Sequence, residues 1–253
     1  MARPDGVTIA LDAAVNVRLA RGVSTIHFIG GEKGGVGKSV IARLLSQWFI
    51  DRSVPFAAID ADRSHGTLAR TYGENTQSVD LGDFASADEI IDRALAADRR
   101  VVVDMPAQSS RLLERWMQSA DLVRFCEQVG IRLTLWHVTD GGFDSTRDLE
   151  RTLTQYGAQF AYVAVRNHGR SKDFGLFDAS PARARLEELK GRILDIPELD
   201  LTAMNQIDRT SASFWAAANN SAGDGSLPPM QRQRVRRWLT LCYEGFQGLG
   251  DIT

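Results

Sequence analysis

The chain has 253 residues, of which 43% are hydrophobic, and its 30 basic side chains nearly balance its 32 acidic ones, giving a formal net charge of −2. This composition excludes an intrinsically disordered chain, because enough apolar surface is present to build a core. It also argues against a protein coated all over with basic residues for nucleic acid. The length fits one α/β domain or two small ones.

Two cysteines, Cys126 and Cys242, lie far apart in the sequence. Their spacing argues against a disulfide framework or a Cys-ligated metal site within the chain, and it predicts a reducing, cytoplasmic location. No apolar run approaches the roughly 18 residues that span a bilayer. Polar side chains interrupt residues 1–22, so we expect neither a membrane span nor a signal peptide.

Apolar, strand-like runs alternate with helix-like segments from about residue 24 onward. Several runs are continuously apolar, which is typical of parallel strands covered on both faces. Between them, segments such as 41–48 place apolar residues on one helical face. The pattern predicts an α/β fold with a doubly wound, mostly parallel sheet and helices on both faces. The predicted strands are Thr25–Ile29, Pro55–Ile59, Arg100–Val103, Ile131–Val138, Phe160–Val165 and Arg192–Ile196.

We expect residues 23–253 to form a single domain. A loop rich in Gly, Ser, Asn and Pro is predicted over 219–229, before a last helix. For residues 1–22 we expect either an extra edge strand, because apolar residues alternate at positions 7, 9 and 11, or a loose N-terminal arm.

One helix has clear start and stop signals. Ser180 followed by Pro181 predicts an N-cap with proline in the first helical position, and Gly191 is expected to end the helix.

The sequence G-E-K-G-G-V-G-K-S at 31–39 matches G-x-x-x-x-G-K-[ST] between a predicted strand and a predicted helix. Glycines let backbone N–H groups surround phosphate oxygens at a positive helix terminus. Lys38 is expected to pair with the β- and γ-phosphates, and the Ser39 hydroxyl to ligate Mg²⁺. The predicted nucleotide-binding residues of this P-loop are Gly34, Gly35, Val36, Gly37, Lys38, Ser39 and Val40.

Acidic residues follow two of the predicted strands. Asp60 and Asp62 come just after the second strand, and Asp104 ends the third. Because open α/β sheets bind ligands at the carboxyl ends of their strands, these side chains are candidates for a metal and a water site. The alternative for the pair at 60 and 62 is an ordinary surface loop.

The early Lys33 within K-G-G-V-G-K-S, the D-A-D at 60–62 and the V-V-V-D-M-P at 101–106 resemble the deviant Walker A ATPases of the ParA/MinD family. The resemblance covers about residues 24–205. It implies that Lys33 reaches across a dimer to the nucleotide of the other chain, a catalytic role shared with Lys38. The alternative for Lys33 is a solvated loop lysine.

By the same resemblance, Asp62 positions or activates the attacking water and is the third catalytic residue. Asp60, Asp104 and Ser39 are expected to surround Mg²⁺. The family often continues with Pro-Gln after the second Asp, whereas this chain has Arg63-Ser64, so the hydrolysis switch is expected to differ in detail.

Two later positions are candidates for the base site. In similar proteins the Asn after the corresponding strand bonds adenine, which implies this role for Asn167, and an amide can both donate to and accept from the base. Pro197 matches the family's late I-P segment beside the base. A turn residue is the alternative for Asn167. The sequence lacks the guanine-reading N-K-x-D, so ATP is favoured over GTP.

The segment Arg232–Phe246 has an apolar helical stripe and a basic cluster at Arg232, Arg234, Arg236 and Arg237. One interpretation is a last helix packed on the core with a solvated basic edge. The others are a non-specific DNA contact through Arg232–Arg237 and a membrane-surface helix. DNA is favoured over membrane, because the stripe suits packing.

The family resemblance implies an ATP-dependent homodimer that hydrolyses ATP slowly, with Mg²⁺, and is stimulated by a protein partner. The implied settings are plasmid or DNA partition, stability or conjugative mobilisation, or the positioning of a protein complex. The alternatives are a nucleotide-dependent scaffold with little hydrolysis and a metabolic ATP-dependent ligase on the same scaffold. Lys33 argues against the ligase.

Overall fold

The computed structural model describes residues 23–62, 66–97, 99–223 and 225–252, without the side chains of Glu74 and Ile252. The predictions made for residues 1–22 and for Arg63 and Ser64 lie outside these ranges.

The described residues form a seven-stranded sheet in the order β3–β2–β4–β1–β5–β6–β7. Every neighbouring pair is parallel, so the predicted α/β fold is confirmed. The order places β1 at the centre, where the chain changes its winding direction and where such sheets bind ligands. The strands are β1 Thr25–Gly30, β2 Phe56–Asp60, β3 Thr76–Ser78, β4 Arg100–Asp104, β5 Arg132–Thr139, β6 Ala161–Asn167 and β7 Arg192–Ile196.

Helices cover both faces of the sheet. They are α1 Lys38–Asp51, α2 Thr67–Tyr72, α3 Phe84–Ala96, α4 Ser110–Ser119, α5 Leu122–Gln128, α6 Phe143–Tyr156, α7 Gly175–Asp178, α8 Pro181–Glu188, α9 Leu201–Thr210, α10 Phe214–Asn219 and α11 Pro229–Gly248. Short 3₁₀ turns lie at Gly73–Asn75, Gly157–Gln159 and Gly250–Ile252.

The apolar strand runs supply two cores, one on each side of the sheet. Successive side chains of a strand point to opposite faces. Phe28 accordingly joins the cluster under α3, α4, α5, α6 and α8, and Ile29 joins the cluster under α1, α9, α10 and α11. Both residues are fully buried. Burial on two faces explains why these strands lack polar alternation.

The predicted strands agree with the structure to within two residues at each end. The short edge strand β3 was not predicted, because its T-Q-S sequence carries no apolar signal. Edge strands are commonly short and polar.

Ser180 caps α8 as predicted, accepting the Arg183 N–H, with Pro181 in the first turn. The end of α8 differs from the prediction that Gly191 itself ends the helix. Lys190, with φ of 58°, takes the left-handed conformation, while the Gly191 N–H donates to Leu186 O at 2.8 Å. The glycine is still needed, because a Cβ there would collide with the Leu186 side chain.

Helix α11 begins at Pro229, and the preceding segment runs from residue 220 to 228, without Asp224. The predicted apolar stripe is buried, and Arg234, Arg236 and Arg237 are exposed, so the packing interpretation of this helix is confirmed. The buried stripe consists of Val235, Trp238, Leu239, Cys242 and Phe246. Across the described ranges, none of the helices combines the length and apolarity needed to cross a bilayer.

Candidate nucleotide-binding site

The predicted P-loop joins β1 to α1 at the centre of the sheet. Its turn uses left-handed backbone at Gly31, Gly35 and Gly37, with φ of 129°, 75° and 104°. A Cβ at Gly37 would collide with the side-chain amide of Asn167. The loop ends at the first residues of α1, whose N–H groups have no partners within the helix and are therefore available to an anion.

Lys38 is the first residue of α1 and is largely buried, with 7% of its surface exposed. Its Nζ donates to the backbone oxygen of Lys33 at 2.9 Å. Burial lowers the pKa of Lys38, and the negative charges of Asp104, Asp62 and Glu32 oppose that shift. A phosphate at this point would favour the charged ammonium.

A cavity of about 320 Å³ opens beside Lys38. It brings together five predicted P-loop residues and the predicted catalytic Asp62. Its lining also contains charged residues that sequence reasoning missed: Arg43, Arg70, Arg170 and Asp208. The predicted residues in its wall are Gly34, Gly37, Lys38, Ser39, Val40 and Asp62.

Lys33 does not line this cavity. Its Nζ lies 2.6 Å from Asp140 Oδ2, and 41% of its side chain is exposed. The hydrogen bond to Asp140 raises the pKa of Lys33. Lys33 lines a separate, open cleft between the P-loop, α4 and α6, so its ammonium does not enter the cavity of its own chain.

Asp104 ends β4 and is completely buried. Burial raises its pKa to about 7, and the nearby charges of Asp60 and Asp62 add to the shift, while Ser39 and Lys38 oppose it. Within the described residues, neither carboxylate oxygen has a partner at strict hydrogen-bond geometry, although the Ser39 hydroxyl is near enough to act as a donor and to oppose the rise in pKa. A buried acceptor without a partner is costly, and a cation beside Ser39 would satisfy it.

Asp60 has a different environment. Its Oδ1 accepts the Asp62 N–H at 3.1 Å, and its Oδ2 accepts the Ala69 N–H at 3.0 Å. Burial raises the pKa of Asp60, and these backbone bonds oppose the shift. In this structure the carboxylate therefore anchors α2 to the end of β2. Its predicted place near a metal stays a prediction.

Asn167 ends β6 and bridges two loops. Its Nδ2 donates to Val36 O at 2.7 Å, and its Oδ1 accepts the Gly169 N–H at 3.0 Å. The amide thus supports the P-loop, and the second N–H of Nδ2 is the donor left for a base. The Pro197 carbonyl accepts the indole N–H of Trp238 at 2.7 Å. Neither residue lines the cavity beside Lys38, and their roles at a base stay predictions.

Arg43 is the most buried of the charged residues that line the cavity, with 1% of its surface exposed. Its Nη1 contacts Asp208 Oδ1 at 2.7 Å, and its guanidinium lies 4.5 Å from the centre of the Phe214 ring. The ion pair ties α1 to Asp208 of α9, 165 positions away, and the ring contact ties α1 to α10. No local pattern marks such a partner, so sequence reasoning could not have found it.

The donor set fits Mg²⁺ bound together with phosphates. Mg²⁺ prefers oxygen ligands and keeps several waters, so one hydroxyl and one carboxylate are typical protein contributions. Ser39 and the buried Asp104 carboxylate supply these. Among the described residues, no group of three His, Cys, Asp or Glu forms a dedicated metal cage.

Known proteins resemble this chain in sequence along most of its length. No family model matches the chain. Protein MobD from Acidithiobacillus ferrooxidans is 25% identical over 231 residues, covering 89% of this chain and 97% of MobD. A Protein TraL from Escherichia coli is 23% identical over 231 residues, covering 85% and 93%.

Solved structures resemble the chain at lower identity. The septum site-determining protein MinD from Pyrococcus horikoshii OT3, complexed with Mg-ADP, gives a TM-score of 0.56 at 16% identity, covering 91% of this chain and 99% of MinD. A nucleotide-binding protein from Archaeoglobus fulgidus, in complex with ADP, gives 0.51 at 16% identity, covering 78% and 91%. The chain therefore has the α/β fold of MinD-type nucleotide-binding proteins.

Proposed function

We propose that this chain is an ATP-dependent, dimerising switch ATPase of the ParA/MinD type. The main support is the different position of the two P-loop lysines. Lys38, Ser39 and Asp62 share one cavity, whereas Lys33 of the same loop lies in the neighbouring cleft. A loop with one lysine inside its own site and a second directed outward suits a nucleotide shared between two chains.

In the proposed mechanism, the N–H groups of the P-loop and Lys38 bind the ATP phosphates. Ser39 and Asp104 would hold Mg²⁺, and the ion would neutralise part of the phosphate charge. Asp62 orients the attacking water. Lys33 of each chain reaches the phosphates held by the other chain and stabilises the charge that develops there.

The cleft around Lys33 supports pairing of two identical chains. It carries Arg111 and Arg151 beside Asp144 and Asp148. A twofold dimer places the same patch of each chain face to face, and a patch with both signs of charge can complement itself. Pairing of this kind leaves Lys33 close to the other chain.

A basic surface on the last helix supports a proposal about what this switch contacts. Arg234, Arg236 and Arg237 on α11 are exposed and offer a non-specific contact to DNA phosphates.

We further propose a cytoplasmic protein that acts with a stimulating partner in plasmid or DNA partition, stability or mobilisation. The similarity to MobD and TraL supports this setting more than the positioning of a protein complex.

Molar mass from light scattering tests the proposal. Wild type is measured without nucleotide, with Mg·ADP and with Mg·ATP. We expect a change from one chain to two with ATP only, a persistent dimer for Asp62→Ala, and a monomer for Lys38→Ala in all states. A wild-type mass that ignores nucleotide would contradict the switch and favour a scaffold or ligase function.

A further inference from the structure

Helix α4 is capped by the P-loop. Ser109, the residue before the helix, makes no side-chain cap bond to it, and its hydroxyl donates to Pro106 O at 2.8 Å. Instead, Glu32 Oε1 accepts the N–H of Ser110 at 2.8 Å, across 78 positions of sequence. An acceptor and a negative charge both stabilise a helix N-terminus, so Glu32 holds the start of this helix.

The backbone of Glu32 makes a second bond to the same region. Its carbonyl accepts the Gln108 N–H at 3.2 Å. Gln108 has φ of 58°, a left-handed conformation that costs energy for a residue other than glycine and needs support from its surroundings. Two bonds from one P-loop residue therefore fix the segment 105–109 and the first turn of α4.

We propose that Glu32 is a positioning residue that couples the state of the P-loop to the segment 105–109 and to the start of α4. The proposal rests on the nucleotide binding described under the proposed function. Lys38 Nζ bonds the carbonyl of Lys33, the residue after Glu32. A bound phosphate competes for that ammonium, so nucleotide changes the loop next to Glu32. The Glu32 side chain carries the change to α4.

The length of the Glu32 side chain determines whether its carboxylate reaches the Ser110 N–H. Its second oxygen, Oε2, lies 4.0 Å from Arg151 Nη2 of α6, while Oε1 bonds the Ser110 N–H. Glutamine retains an acceptor of the same length, whereas aspartate is shorter by one methylene and alanine has no acceptor. Glu32→Gln is therefore expected to preserve the coupling, and Glu32→Asp and Glu32→Ala to remove it.

Hydrogen exchange tests this coupling. Exchange at residues 105–113 is measured with and without Mg·ADP, and Mg·ADP affinity is measured separately. In wild type we expect Mg·ADP to change the exchange. In Glu32→Ala we expect affinity within about threefold of wild type and exchange at the first turn of α4 that is about fivefold faster, because the cap is lost. We also expect no response to Mg·ADP at residues 110–113, whereas Gln108 keeps its bond to the carbonyl of residue 32. Glu32→Gln is expected to restore the response.

Glu114→Ala is the matched control, because Glu114 lines the same cleft but bonds Gln118 within its own helix. A nucleotide response that persists at residues 110–113 in Glu32→Ala or in the milder Glu32→Asp would overturn the coupling, as would failure of Glu32→Gln to restore it. Failure of nucleotide binding gives a different result, because wild type would then show no affinity for Mg·ADP. Failure of the dimerising switch appears in the light-scattering experiment instead, and it leaves the Mg·ADP response of Glu32 measurable.

Discussion

At the scale of single residues, the raised pKa of Asp104 makes the stability of the folded chain depend on pH. Its pKa of about 7 means that the folded chain binds this proton more tightly than the unfolded chain. The unfolded chain therefore ionises first, and Asp104 lowers stability progressively as pH rises from about 4 to about 7. The loss then stays constant at higher pH.

We expect Asp104→Asn to stabilise the nucleotide-free protein, because asparagine resembles the protonated acid. The gain grows between pH 4 and pH 7 and reaches on the order of 2–4 kcal/mol above it. Urea unfolding at pH 5, 6 and 8 without Mg²⁺ measures it. Asp92→Asn, an exposed carboxylate on α3, controls for the loss of charge. A gain independent of pH would show that ionisation of Asp104 is not the cause.

The two P-loop lysines are expected to differ in nucleotide binding. Lys38 lines the cavity, so Lys38→Ala should weaken Mg·ATP binding by a hundredfold or more, on the order of 3 kcal/mol for a charged hydrogen bond. Lys33→Ala should leave the affinity of the single chain within about threefold, because an exposed ion pair contributes little. Titration with a fluorescent ATP analogue compares them, with exposed Lys172→Ala as control. Equal losses would place Lys33 in the site of its own chain.

At the scale of elements, the sequence predicted those parts of the site that are continuous in the chain. Strand β1, the P-loop and α1 form one segment, and phosphate binding demands glycine, lysine and serine at fixed spacing. The acids at 60, 62 and 104 follow strands and were found by that rule.

Asp140 follows β5 in the same way and could have been found by the same rule, although its bond to Lys33, 107 positions away, could not. Glu32 and Arg43 also act through partners that are distant in sequence. A single sequence has local patterns for elements but none for such pairs. The physical reason is that folding, and not spacing, brings these side chains together.

Helix α11 supports a prediction about DNA. Its buried stripe fixes the helix on the core, so Arg234, Arg236 and Arg237 present their charge on a rigid surface. Replacing all three by Gln should weaken binding to duplex DNA of any sequence and reduce the slope of log K against log salt by roughly 2–3. Fluorescence anisotropy between 50 and 200 mM salt measures the slope, with Mg·ATP present. An unchanged slope would remove α11 from the contact.

At the scale of the whole molecule, the shared-site arrangement predicts complementation between two inactive variants. Lys33→Ala retains Asp62 but cannot serve the other chain, and Asp62→Ala retains Lys33 but cannot orient water. If Lys33 acts across the dimer, a mixed pair contains one complete site. Random pairing of equal amounts makes half of the dimers mixed, so about one quarter of wild-type ATPase activity should return.

The two variants are mixed before Mg·ATP is added, because Asp62→Ala is expected to form a persistent dimer. Each variant alone, at the same total concentration, provides the baseline. If Lys33 instead serves its own chain, every site in the mixture lacks one group and no activity returns. The assay therefore distinguishes a site completed by two chains from a site completed by a single chain. This distinction matters because Lys33 lies outside the cavity of its own chain.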